Sequence, residues 1–138
     1  MLWLLQLPVT ISRGNLQNIM NVTIYHNPGC SNSLKTLEII EAQGLKPRIV
    51  EYLDSPPAAH TLLRLAEMLE VPLMELLRTS EADFAASSQP VPVDDSEALS
   101  KWLQQHPRVL QRPIVVDEDQ QRAIVGRPPE NVLKLFAQ

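Results

Sequence analysis

The chain has 138 residues, enough for one domain around one main core, and its 44% hydrophobic and 20% charged content excludes a disordered or fibrous protein. A net charge of −4 excludes the broad basic face that nucleic-acid binding needs, so any anion site must be a local cluster of arginines. One cysteine, Cys30, and three scattered histidines exclude a disulfide framework, argue against a metal site and point to a reducing, cytoplasmic setting.

Residues 1–19 read apart from the rest. Met1 to Leu7 is apolar, but Pro8 interrupts it, and it is too short to span a membrane and lacks the basic start of a signal peptide. We read residues 1–19 as a dispensable extension before Met20, and residues 20–138 as the folded domain. Val22 to Tyr25 is β-branched and aromatic, which predicts a strand, and His26-Asn27-Pro28-Gly29 predicts a turn. From Ser31 the period becomes helical through Leu34, Leu37, Ile39 and Ile40, with Gly44 and Pro47 as stop signals. Arg48 to Tyr52 returns to strand character, so a parallel pair joined by a right-handed crossover is expected.

Ser55-Pro56-Pro57 predicts the start of a second helix with Ser55 or a neighbour as its cap, followed by a short turn of helix from Pro72 to Leu77. Residues 79–93 are rich in Ser, Ala and Pro, and carry at most a short helix around Phe84. Asp94-Asp95-Ser96 caps a helix bearing Leu99, Trp102 and Leu103, ended by Pro107. Ile114 to Val116 and Ala123 to Val125 predict two strands across a polar turn, and Gly126-Arg127-Pro128-Pro129 leads into a closing helix. The order predicts an α/β fold with a four-stranded mixed sheet and a helical block inserted between its halves.

Cys30 stands where the first strand turns into the first helix. Helix N-termini offer unsatisfied N–H groups and a positive dipole end, which stabilise a thiolate or an incoming anion. A lone cysteine is otherwise most simply a small buried hydrophobe; the strand–turn–helix setting favours the reactive reading. Ser33 repeats the C-x-x-C spacing with a hydroxyl that could donate to the thiolate but cannot resolve an adduct. His26 either holds the loop by hydrogen bonding or caps the strand end, while His60 and His106 read as structural or exposed.

The segment His26-Asn27-Pro28-Gly29-Cys30-Ser31-Asn32-Ser33 resembles the H-N-P-x-C-x-x-S signature of the glutaredoxin-dependent arsenate reductase family. The resemblance continues through Tyr52-Leu53, Pro56-Pro57, Leu76-Leu77-Arg78, Gln105-His106-Pro107, Arg112 to Val116 and Gly126 to Glu130, covering about residues 22–136. It implies a thioredoxin-like fold, with Cys30 as the nucleophile that forms a thiol–arsenate adduct. It also implies that Arg78, Arg112 and Arg127 surround the oxyanion and that the Arg112–Pro113 bond is cis. His26, Asn27, Ser33 and Pro113 become supporting residues. Forked guanidinium donors suit a tetrahedral oxyanion. Of the eight arginines, Arg13, Arg48, Arg64, Arg108 and Arg122 read as solvated surface.

The family scheme uses glutathione as co-substrate and glutaredoxin as partner, with no tightly bound cofactor and no metal, and a monomer is expected. Leu34 departs from the family, which usually has arginine there, and the stretch from Ala85 to Val93 is also unusual. Two alternatives stand beside this reading. One is a non-enzymatic transcription regulator of the same superfamily, whose usual second switch cysteine is replaced here by Ser33. The other is a thiol reductase acting on another oxyanion or on a glutathione adduct.

Overall fold

A computed structural model of the chain describes residues 20–85 and 90–137. The extension expected at residues 1–19 lies outside the described residues. The elements run β1 (Val22–His26), α1 (Ser31–Ala42), β2 (Arg48–Glu51), α2 (Ala59–Leu69), α3 (Ala82–Ala85), α4 (Ser96–Gln105), β3 (Ile114–Asp117), β4 (Arg122–Val125) and α5 (Leu133–Phe136). Short 3-10 turns cover Leu73–Leu76, Pro107–Val109 and Pro129–Val132.

The sheet order is β2-β1-β3-β4, with β1 parallel to β2 and antiparallel to β3, and β3 antiparallel to β4. It is the expected thioredoxin-like mixed sheet, with α2 to α4 inserted between its halves. Every residue of β1 and β3 is buried, as their near-continuous apolar runs require of central strands, whereas β2 exposes Arg48, Ile49 and Glu51 at one edge. Strand alternation divides the core in two. Tyr25, Ile114 and Val116 pack with Leu62, Leu65, Leu99 and Leu103 on one face. Ile24 and Val115 pack with Ile40, Val132 and Leu135 on the other.

Two local expectations need correction. Leu34 is not part of the buried stripe of α1: it is 48% exposed, and the buried positions are Ser33, Thr36 and Ile40. The helix turns small polar side chains inward because its first turns pack against the loop and the β4 exit. There an ideal Cβ on Gly126 would stand 2.5 Å from Thr36 Oγ1 and 2.9 Å from Pro113 Cγ, so only glycine fits. Ser55 is likewise not the cap of α2. The chain turns first, with Ser55 N–H donating to Glu51 O, and the helix begins at Ala59 with Ala58 as its N-cap. In contrast, Asp95 caps α4 as read, its carboxylate accepting from Ala98 N–H.

Candidate active site

The loop between β1 and α1 is tied at both ends. Asn27 Oδ1 accepts from Gly29 N–H at 2.8 Å, and Cys30 N–H donates to Asn27 O at 3.0 Å. Asn27 N–H in turn donates to Ser33 Oγ at 3.0 Å, while His26 Nδ1 lies 2.6 Å from the same oxygen. Cys30 is therefore delivered as the N-cap of α1, half-buried, with extended backbone at φ −109° and ψ 123°.

Burial alone would push the Cys30 thiol up. The backbone N–H groups of Ser33 and Asn32 and the Arg112 guanidinium outweigh it and hold the thiol below its ordinary value. Ser33 thus acts on the sulfur through its backbone. Its hydroxyl, which could have donated to the thiolate, is engaged by His26 and Asn27. His26 is buried, and burial, opposed in part by Glu51, pushes its imidazole down toward the neutral form. The His26 ring thereby links the end of β1 to the first turn of α1.

The second wall comes from distant sequence. Arg78 N–H donates to Val109 O at 2.6 Å, Gln111 N–H donates to Leu76 O at 2.7 Å, and Leu77 bridges Leu110. These bonds pin the segment after the Leu73–Leu76 turn to the segment entering β3, which places Arg78 and Arg112 side by side. His106 steadies the same approach: its ring stacks on Trp102 at 4.2 Å, and its Nδ1 is 2.8 Å from Trp102 O. The Arg112–Pro113 peptide is cis, as the resemblance implied, and so is Arg127–Pro128.

Arg112 is the hub. Its guanidinium stands beside Cys30, and its Nη1 lies 3.6 Å from Glu81 Oε1. Arg78 Nη1 pairs with the same Glu81 oxygen, and Arg127 Nη1 donates to Arg112 O at 3.2 Å. The other two predicted arginines therefore gather around Arg112, Arg78 through the shared Glu81 oxygen and the exposed Arg127 through the Arg112 backbone. A cleft of about 240 Å³ opens here, lined by Asn27, Tyr52, Leu53, Glu81, Arg108 and Arg112. Tyr52 is fully buried, and burial pushes its phenol up against the opposing influence of Arg112.

Sequence reasoning missed three residues of this cleft. Arg108, read as surface, is exposed but lines it. Tyr52 read as a strand residue and as part of the family resemblance, but not as a residue of the site. Glu81 carried one available signal, its place three residues after Arg78, where a helical turn brings side chains together. Electrostatically the arrangement can lower the charge cost of a thiolate and hold an anion against two guanidinium groups.

Comparison with known proteins identifies several relatives. The chain is 37% identical over 115 residues to the uncharacterized protein YfgD of Escherichia coli, covering 83% of this chain and 95% of that one. It is 35% identical over 118 residues to an arsenate reductase of Haemophilus influenzae, covering 85% of this chain and all of that one. The solved structure of an arsenate reductase from Vibrio cholerae superimposes with a TM-score of 0.74 at 37% identity, covering 85% of this chain and 98% of that chain. A profile of the ArsC family matches residues 25–135, from the end of β1 into α5, and the chain belongs to the ArsC family.

Proposed function

We propose that this protein reduces arsenate to arsenite through Cys30. The observation that carries the reading is the half-buried Cys30 thiol at the N-terminus of α1, held toward its thiolate by two backbone N–H groups and Arg112. The names of the Haemophilus influenzae and Vibrio cholerae relatives support arsenate as the oxyanion.

In the first step the Cys30 thiolate attacks arsenic. An S–As bond forms as the bond to an arsenate hydroxyl breaks, and that hydroxyl takes a proton from solvent to leave as water, with Arg78, Arg112 and Arg127 offsetting the charge of the remaining oxygens. In the second step an external thiolate attacks Cys30 Sγ. The S–S bond forms as the S–As bond breaks, and arsenic keeps the electron pair, passing from the pentavalent to the trivalent state as arsenite. Two thiols thus supply the two electrons. This chain has a single cysteine, so the second thiol comes from outside, as glutathione, and glutaredoxin clears the mixed disulfide by thiol exchange.

The test is an NADPH-coupled assay with glutathione, glutaredoxin and arsenate, run beside phosphate and selenate. Arsenate-dependent turnover is expected, and thioredoxin without small thiols should support it poorly. Absence of arsenite, or faster turnover on another oxyanion or a glutathione adduct, would overturn the assignment.

A further inference from the structure

Two of the arginines proposed to hold the oxyanion are already engaged by a carboxylate of the protein itself. Glu81 Oε1 pairs with Arg78 Nη1 and lies 3.6 Å from Arg112 Nη1, and the three side chains are only 20%, 22% and 17% exposed for Arg78, Glu81 and Arg112. One carboxylate oxygen therefore faces both guanidinium groups that a tetrahedral oxyanion would need. It does not complete the site. The Tyr52 phenol oxygen and Arg112 Nε are buried in the same wall, and Glu81 satisfies neither of them. A carboxylate has two oxygens in one plane; a tetrahedral anion has four and can reach donors outside that plane.

We propose that Glu81 is an internal competitor for the oxyanion cradle, whose carboxylate holds Arg78 and Arg112 until a tetrahedral dianion displaces it. This deepens the arsenate reading and rests on it, by adding a residue that sets which anions enter. Displacement requires only side-chain rotation, because the backbone of Glu81 is fixed separately by its N–H bond to Arg78 O at 3.0 Å. The competitor also sets a charge threshold. A dianion gains more from two guanidinium groups than the single charge it expels, whereas a monoanion does not. The competing role, a brace that keeps the arginines in place, makes the opposite prediction for loss of the carboxylate.

Calorimetric titration of the full chain with sulfate separates the two, since sulfate is a tetrahedral dianion and needs no turnover. Glu81→Gln and Glu81→Ala should each bind sulfate at least about threefold more tightly than the wild type, the order expected when a partly exposed ion pair no longer competes. Unchanged or weaker binding in both variants would overturn the proposal, as would absence of sulfate binding in all three proteins. The outcome stays separate from the arsenate reading. Tighter sulfate binding without any arsenite formation would remove arsenate as substrate and leave the competitor in place. Wild-type arsenate turnover with unchanged sulfate affinity would do the reverse.

Discussion

His26 Nδ1 lies 2.6 Å from Ser33 Oγ, joining the end of β1 to the first turn of α1 beneath the candidate nucleophile. Asn27 N–H donates to the same oxygen, so this one hydroxyl ties the strand end and the loop to the helix. Ser33→Ala leaves the Asn27 N–H and the His26 nitrogen unmet in a buried setting, at a cost of about 1–3 kcal/mol. The melting temperature should fall by several degrees while the Cys30 titration moves little, because Ser33 reaches the sulfur through its backbone. An unchanged melting temperature would contradict the network.

Cys30 itself should titrate below an ordinary thiol. Alkylation by iodoacetamide, followed against pH, should show a midpoint below that of a free cysteine. Arg112→Gln removes a cation beside the sulfur and should move that midpoint upward. The linked stability has a fixed sign. Because the folded value lies below the unfolded one, the thiolate's contribution is fully present above the unfolded value. It is lost as pH falls through the folded value. A midpoint at or above that of a free thiol would contradict the local electrostatics.

The arginines should not be equivalent. Arg112→Lys keeps charge but loses the fork that spans Cys30 and the cleft, and should weaken arsenate capture tenfold or more, on the order of 1–3 kcal/mol. Arg127→Lys should cost less, since Arg127 is exposed and its recorded hydrogen bond is to the Arg112 carbonyl oxygen. Steady-state kinetics on both variants check the ranking. Equal losses would place Arg127 on the substrate as directly as Arg112.

Tyr52→Phe separates stability from binding. The phenol oxygen is buried with Asn27 and Arg112 as its polar neighbours and no close hydrogen bond to either, so deleting it should change the melting temperature little. If that oxygen meets the substrate, KM for arsenate should rise several-fold in the same variant. A large loss of stability would show that the hydroxyl is satisfied within the fold.

The central strands, the loop before Cys30 and the cap of α4 were legible because each is written in adjacent residues: an apolar run, a Pro-Gly turn, an Asp three residues before its N–H partner. Leu34 misled because apolar periodicity assumes an apolar partner, and α1 instead presents Ser33 and Thr36 to the polar loop and to Gly126. The gathering of Arg78 and Arg112 was legible only through the family resemblance. Its physical cause is the bridge between Leu77 and Leu110, a pairing between distant segments that no local pattern encodes. Glu81, Tyr52 and Arg108 share a cleft for the same reason, and single-residue character gave no sign of it.

The most direct test of the account is mass spectrometry of the full chain after arsenate and glutathione are supplied and glutaredoxin is withheld. Thiolate attack followed by external reduction predicts one glutathione in disulfide linkage on Cys30, absent when arsenate is omitted and absent in Cys30→Ser. Arsenite produced by the Cys30→Ser chain, or formed by the wild type while Cys30 stays unmodified, would contradict it.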